Sequence, residues 1–389
     1  MKIAKKEITT FLILLGVMAV IGGCKQPASN NSLVEIDVTA SYPEKELILQ
    51  DFMDVEYIPL ETNNEFVTSG VVMALGKKII IVKNWSNDGN IYVFDRKTGK
   101  ALRKLNMLGK GPEEYSHLTN IVADEKNNEL FVNCLTSKKV LVYDLFGNFK
   151  RSFNYIENVR YTDVFNYDSD KLIAYNEMAK YNIGQNKGDE PYHMILSKQN
   201  GSIIRNISIP FDVIKAPMIQ EGDAVVATSV PAIIPNQANW LLVEPSSDTV
   251  YNFNSHENKL QAFLAKKPTT DPEVFLKMGT LTGQYYFIST VKKEFNFSTG
   301  RGFPIGDLLY DKQENAVFEP VIINADYQKR QTVDMISHPL NGELAAFQII
   351  EAFQLVEAYK NGELTGKLKE IAAELDEESN PVIMVMTEK

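Results

Sequence analysis

Cysteine is scarce in this 389-residue chain: Cys24 and Cys134 are the only two, with no C-x-x-C pair. That excludes a disulfide-stapled scaffold and a dithiol redox motif. Histidine is nearly as rare. His117, His193, His256 and His338 are far apart and show no H-x-x-x-H or H-E-x-x-H spacing, so no metal site is expected from them and each reads as a surface or packed residue. No long basic run occurs, and the formal net charge is −10, which argues against a nucleic-acid backbone as partner. There is no G-x-S-x-G nucleophile elbow. Asp168-Ser169-Asp170 lacks the Gly and final Glu of a calcium loop, and Gly109-Lys110-Gly111 lacks the following Ser or Thr of a phosphate cradle. No cofactor is called for. Long apolar runs are missing too: Phe11–Ile21 is 11 residues, and a bilayer needs about 20.

What that short run does have is context. Lys2, Lys5 and Lys6 precede it, and Ile21-Gly22-Gly23-Cys24 follows. This is a targeting segment, excluded from the fold. Its end resembles a bacterial lipobox, whose small residues fit a peptidase groove and whose Cys thiol accepts the lipid. The expected organisation is a signal peptide over 1–23, a flexible polar tether over 24–32 and a folded domain over 33–389. With Cys24 lipidated, Cys134 has no partner and reads as a buried, inert thiol.

From Val71 onward strand signals recur every 8–12 residues, with Gly and Asn turns between them. Phe94-Asp95 and Tyr143-Asp144 lie 49 residues apart, and Gly99 and Gly147 lie 48 apart. A period near 50 matches a four-stranded propeller blade with its connection. The second unit divides into Asn120–Asp124, Glu129–Asn133, Lys139–Asp144 and Asn148–Tyr155. Looser units follow, and the sixth holds Val333–Ser337, Leu344–Ile350 and Val382–Met386 with no outer strand. Leu33–Val38 and Val55–Leu60 are spare strands at the other end, and closing the ring with N-terminal strands would remove free sheet edges. The expectation is an all-β, six-bladed β-propeller of four-stranded blades, with short helical insertions at Asp271–Leu281 and Leu364–Leu375.

Four stretches strengthen this reading: Val55–Thr62, the Gly109-Lys110-Gly111-Pro112-Glu113-Glu114-Tyr115 loop, Ser247–Tyr251 and Asn380–Ile383. They resemble the six-bladed β-propeller lipoproteins of Bacteroides-type bacteria, related in fold to NHL and TolB-like propellers. The family pattern has Gly where this chain has Glu113. Surface-exposed members carry an acidic tract after the lipidated Cys. Lys25–Ser32 has none, so a periplasm-facing, lipid-anchored envelope protein is expected.

In such a blade the b–c and d–a loops share one rim. Trp85, Lys110, Glu113, Tyr115, Tyr181 and Arg301 fall in those loops and are the candidate ligand-binding residues for a glycan, peptide or envelope protein: aromatic faces stack, and charged groups take hydroxyls. The alternative for Tyr115, Trp85 and Tyr181 is packing between blades. A second function is a metal-dependent lactonase or lyase, with Asp124 and Asn176 holding an axial metal. A third is a scaffold within an envelope complex. The anchor reading is checked by Cys24→Ala, expected to leave the protein unlipidated and in the aqueous fraction on detergent phase separation. Persistence with membranes would refute it.

Overall fold

The structure is a computed structural model that describes residues 33–190, 192–337 and 339–389. The expected signal peptide, Cys24, the expected tether and His338 lie outside them. The described chain is a six-bladed β-propeller, as the sequence period implies. Strands are lettered a to d from the axis outward. The first blade is Val71–Leu75, Ile79–Lys83, Asn90–Asp95 and Ala101–Asn106, and the second Asn120–Asp124, Glu129–Cys134, Lys139–Tyr143 and Phe149–Asn154. The third is Tyr161–Asn166, Lys171–Asn176, His193–Ser197 and Ile203–Ile207. The fourth is Ile233–Asn236, Asn239–Leu242, Thr249–Asn254 and Lys259–Lys266, and the fifth Val274–Leu281, Tyr285–Lys292, Ile305–Asp311 and Ala316–Ile323. Antiparallel pairing of consecutive strands alternates buried and solvated positions in the outer strands, while the middle strands are buried on both faces.

The aromatic-Asp repeat has a physical cause. In the first blade Phe94 is fully buried, Asp95 Oδ1 accepts Thr98 N–H at 2.8 Å, and Gly99 takes φ +69° to turn the chain. Tyr143, Asp144 and Gly147 repeat it. Two further copies were not evident in the sequence. Asn254 Oδ1 accepts the His256 and Glu257 N–H groups, and Asp311 Oδ1 accepts those of Gln313 and Glu314. Here Asn258 and Asn315 supply the left-handed residue in place of Gly. All four are c–d turns.

The ring closes through the N-terminus. Met53–Pro59 pairs antiparallel with Val382–Glu388 and forms the outer strand of the sixth blade. The preceding chain belts two other blades: Glu44–Ile48 adds in parallel to the fifth and Val34–Ile36 to the fourth. Asn380, in one of the four family-like stretches, holds the closure. It is 2% exposed; its Nδ2 donates to Glu61 O and Phe66 O, each at 2.8 Å, and its Oδ1 accepts Thr68 N–H at 2.8 Å.

Three sequence expectations are corrected. Asp271–Leu281 contains no helix; Val274–Leu281 is the inner strand of the fifth blade, buried on both faces. Burial on both faces erases the period that distinguishes helix from strand. Gly279 within it lies where a Cβ would meet Met335 O at 2.6 Å, so the next blade packs directly on its backbone. Val333–Ser337 forms no ladder strand. It is stitched to the fifth blade by Val333 N–H to Ile322 O and Thr280 N–H to Met335 O. The sixth blade also carries two helices between strands b (Ala346–Ile350) and c (Val382–Glu388). Gly366–Ala373 lies within the expected Leu364–Leu375; Ala352–Lys360 was not expected.

Asn380→Ala removes the side-chain partner of Glu61 O and of the Thr68 N–H, and leaves Phe66 O with only the Asn63 N–H at 3.4 Å. Each such loss costs about 1–3 kcal/mol, so the variant should lose on the order of 3 kcal/mol in a denaturant melt. A change under about 1 kcal/mol would show that closure does not depend on this side chain.

Candidate functional site

The b–c side of the propeller carries a cleft between the third and fourth blades. It begins with a β-bulge in strand a of the third blade, between Tyr161 and Val164. A bulge re-aims the residues within it, here Thr162 and Asp163. The Asp163 carboxylate accepts Ala232 N–H at 2.7 Å from the fourth blade and stands half-buried in the cleft. Strand b ends at Asn176, whose Oδ1 accepts the N–H groups of Arg160 (3.0 Å) and Met178 (3.2 Å) and so starts the 3-10 turn Glu177–Asn182. Glu177 pairs with Arg160 Nε at 2.6 Å and with Lys180. The opposite wall is the long connection into the fourth blade: Lys215–Met218, a hairpin of Met218–Glu221 with Ala224–Ala227, then Thr228–Val230. The enclosed volume is about 260 Å³.

Behind the cleft lies a buried polar cluster. Tyr175 Oη donates to Glu244 Oε2 at 3.4 Å, and Glu244 Oε1 accepts from Ser246 Oγ at 3.1 Å. His193 Nε2 lies 3.1 Å from Ala232 O, which fixes the proton on that nitrogen; Nδ1 has no partner. Ala232 thus donates to Asp163 through its N–H and receives His193 through its carbonyl. No cation pairs with Asp163, Glu244 or His193 among the described residues, and burial sets their protonation. It pushes Asp163 up to about 6, against the pull of the Ala232 and Ile233 N–H groups. It pushes Glu244 up to about 7, and Tyr175, with Glu244 beside it, well above its ordinary value. It holds His193 down to about 4. Uncompensated acids in a cleft cost stability and are a frequent mark of binding sites.

The sequence-nominated residues fare differently. Trp85 and Tyr181 are 76% and 51% exposed, in the b–c connections of the first and third blades. Trp85 N–H donates to Ser69 Oγ, and Arg160 Nη1 reaches Tyr181 Oη at 3.5 Å. Arg301 is exposed on a small ribbon, Phe295–Asn296 with Arg301–Gly302, in the b–c connection of the fifth blade. Lys110 and Glu113 are exposed, but their loop is tied into the groove between the first two blades: Tyr143 Oη donates to Glu113 O at 2.7 Å. Tyr115 is corrected to a packing residue. It is 0% exposed, its hydroxyl donates to Gly89 O at 2.6 Å and accepts Met107 N–H, and its ring meets Tyr143 edge-on. Lys110, Glu113 and Tyr115 share the loop between the first two blades, next to the Trp85 connection, whereas Tyr181 and Arg301 stand on the third and fifth blades; only Tyr181 sits on an element that lines the cleft. Asp163, Lys215 and the cluster behind them were missed. The available signal was a carboxylate ending an apolar run, as Glu244 does after Trp240–Val243.

Asp124 and Asn176, expected to share an axial metal, lie at opposite ends of the propeller: Asp124 ends strand a of its blade and Asn176 ends strand b. Asp124 is bound to Lys198 in a buried ion pair. Among the described residues no group of three or more His, Cys, Asp or Glu is placed to hold a metal ion. Cys134 is buried, as expected.

Asp163 gives a signed pH prediction. Its folded pKa lies above its unfolded value of 3.8, so its favourable contribution is full below about pH 4 and is lost as pH rises through about 6. Asp163→Asn, which keeps an acceptor for Ala232, should raise the melting temperature at pH 7.5 by the equivalent of at most roughly 3 kcal/mol. The gain should vanish near pH 3.5. A gain independent of pH would show that the carboxylate is solvated.

The comparisons agree with the fold. A Bacteroides fragilis protein named as an exported-protein candidate superposes with a TM-score of 0.58 at 14% identity, covering 89% of this chain and 99% of its own. A DUF4221 family member from Bacteroides vulgatus gives 0.46 at 9% identity, over 86% and 97%. Among curated proteins none matches. A family model described as a 6-bladed beta-propeller matches residues 25–339, and the chain belongs to that family, DUF5128.

Proposed function

We propose that this is a lipid-anchored, periplasm-facing envelope propeller that binds a glycan, peptide or protein partner on its b–c rim, at the cleft between the third and fourth blades. The observation that carries this reading is Asp163: a half-buried carboxylate with no cationic partner among the described residues, facing a 260 Å³ cleft. A ligand group that donates to it, a hydroxyl or an amine, would offset its desolvation. Lys215, Thr228 and Ser229 on the opposite wall offer the ligand further polar contacts, and Tyr181 an exposed ring at the edge.

The address rests on Lys2, Lys5, Lys6, Phe11–Ile21 and Cys24, and the exported-protein name of the Bacteroides fragilis structure supports it. The metal-dependent lactonase reading has no comparable support, since its two nominated ligands lie at opposite ends of the propeller.

The test is a glycan array and a peptide library on immobilised protein, followed by titration of the best ligand against variants. Tyr181→Ala should weaken binding about thirtyfold and leave the melting temperature nearly unchanged, because the ring is exposed. Asp163→Asn should weaken it with no loss of stability at neutral pH. Trp85→Ala, on a distant blade, should leave binding at the cleft within about threefold. Binding indifferent to both Tyr181→Ala and Asp163→Asn would place the ligand elsewhere.

A further inference from the structure

A larger cavity than this cleft lies away from that rim. It is an axial funnel of about 740 Å³, within the range of small-ligand pockets, about 300–1,000 Å³. It opens on the opposite side, among the a–b turns of the first four blades, at residues 76–78, 125–126, 167–168 and 237–238. The fifth blade's turn is replaced there by residues 340–343, which lead into Ala346–Ile350 of the sixth blade. Asn341 Nδ2 donates to Leu75 O in the first blade, and Gly342 rests directly on the backbone of Gln237 in the fourth, where a Cβ would collide. The mouth is therefore shaped by three blades that are not neighbours in sequence.

We propose that this funnel is a second ligand site and that its ligand is a carboxylated saccharide. Three independent observations converge. Along the wall, Tyr167 stacks on Trp240, with rings 6.0 Å apart and 19° between planes, and Met73 and Leu75 of the first blade line the same space; this is an apolar surface for a sugar ring face. Deeper in, Asn120 Oδ1 is a buried amide oxygen with no hydrogen-bond partner among the described residues, and the exposed Asn166 and Gln237 line the space nearer the mouth. An acceptor left unsatisfied calls for a donor such as a sugar hydroxyl.

The charges at the mouth are not balanced among themselves. Asp124 pairs with Lys198, Asp168 with Lys171 at 2.8 Å, and Glu343 with Lys77 at 2.6 Å. Glu125 accepts the backbone N–H groups of Lys78 and Ile79, each at 3.0 Å. Lys78 and Lys126, on adjacent a–b turns, have no ion-pair partner among the described residues. A protein of net charge −10 thus presents two ammonium groups without ion-pair partners among the described residues at the mouth of this cavity, with Glu125 held by backbone N–H groups between them. A carboxylate on the ligand would complete them with charge-assisted hydrogen bonds.

The experiment is calorimetric titration of the full chain with a uronic-acid disaccharide, and with the neutral disaccharide of the same linkage, at low ionic strength. The expected result is binding of the acidic sugar at least tenfold tighter than the neutral one. Lys78→Ala with Lys126→Ala, both exposed, should remove that preference and leave the melting temperature unchanged. Ala238→Trp, at the exposed turn beside Gln237, should block the funnel and abolish binding of both sugars. No binding of the acidic sugar at millimolar concentration would overturn the proposal. So would equal affinity for the two sugars, or binding that survives Ala238→Trp and is lost with Tyr181→Ala, which would assign it to the rim.

Discussion

Everything in this fold depends on closing a ring of sheets. A blade exposes a row of unpaired N–H and C=O groups at its outer edge, and the ring as a whole is stable only if its last blade is complete. The chain solves this by reserving Met53–Pro59 for the far end of the sequence, where it pairs with Val382–Glu388 over seven registered positions. The two strands before it cover the outer edges of the fourth and fifth blades. The N-terminal segment is thus a belt over half the ring. Asn380 locks it by saturating backbone groups on the strand's exit. The consequence is long-range: residues more than 300 apart in sequence must meet before the sixth blade has an outer strand, which makes closure a high-contact-order event.

Rigid closure is what allows buried acids to persist. Asp163 and Glu244 sit between the third and fourth blades with raised pKa values and, among the described residues, no cation paired with them. Such groups are tolerated only where surrounding structure over-determines their position. Here it does: the Asn176 side chain fixes the 3-10 turn, the Ala232 peptide groups bind Asp163 and His193, and Ser246 holds Glu244. The cleft is therefore a property of two blades docked together, not of either alone.

That dependence explains what the sequence could and could not disclose. The second blade was legible almost to the residue, because its alternation is clean, and the first was tied to it by the shared period of their aromatic-Asp turns. Phe253-Asn254 and Tyr310-Asp311 carry the same turn, but Asn replaces Asp in one, and in both Asn stands in for the left-handed Gly, so the repeat is hidden. The inner strands Tyr161–Asn166, Ile233–Asn236 and Val274–Leu281 were missed or misread. Inner strands are short, bulged or buried on both faces, and none of these leaves a period to read. The rim residues were nominated by loop chemistry, which found exposed Trp85, Tyr181 and Arg301 but could not see that Tyr115 turns inward. The cleft itself was invisible, because it is made where Asp163 meets Ala232, 69 residues away.

The two ends of the propeller are under different constraints. At the c–d turns, Asp95, Asp144, Asn254 and Asp311 each bind their own turn's backbone, so the polar residues there are fixed by the requirement to reverse the chain. The a–b turns are tight as well, and they surround a funnel whose shape follows from ring geometry. The b–c connections face no such limit. They range from residues 135–138 in the second blade, through the 3-10 turn Glu177–Asn182 in the third and the ribbon at Arg301 in the fifth, to the helices Ala352–Lys360 and Gly366–Ala373 in the sixth. Length and composition vary there without disturbing strand pairing, because both strands of each connection are already held by their blade. A change of ligand on that rim costs the fold little, whereas a change at the funnel must respect several blades at once. Specificity is therefore expected to diverge on the b–c side, and the funnel to retain one shape wherever the ring closes in this way.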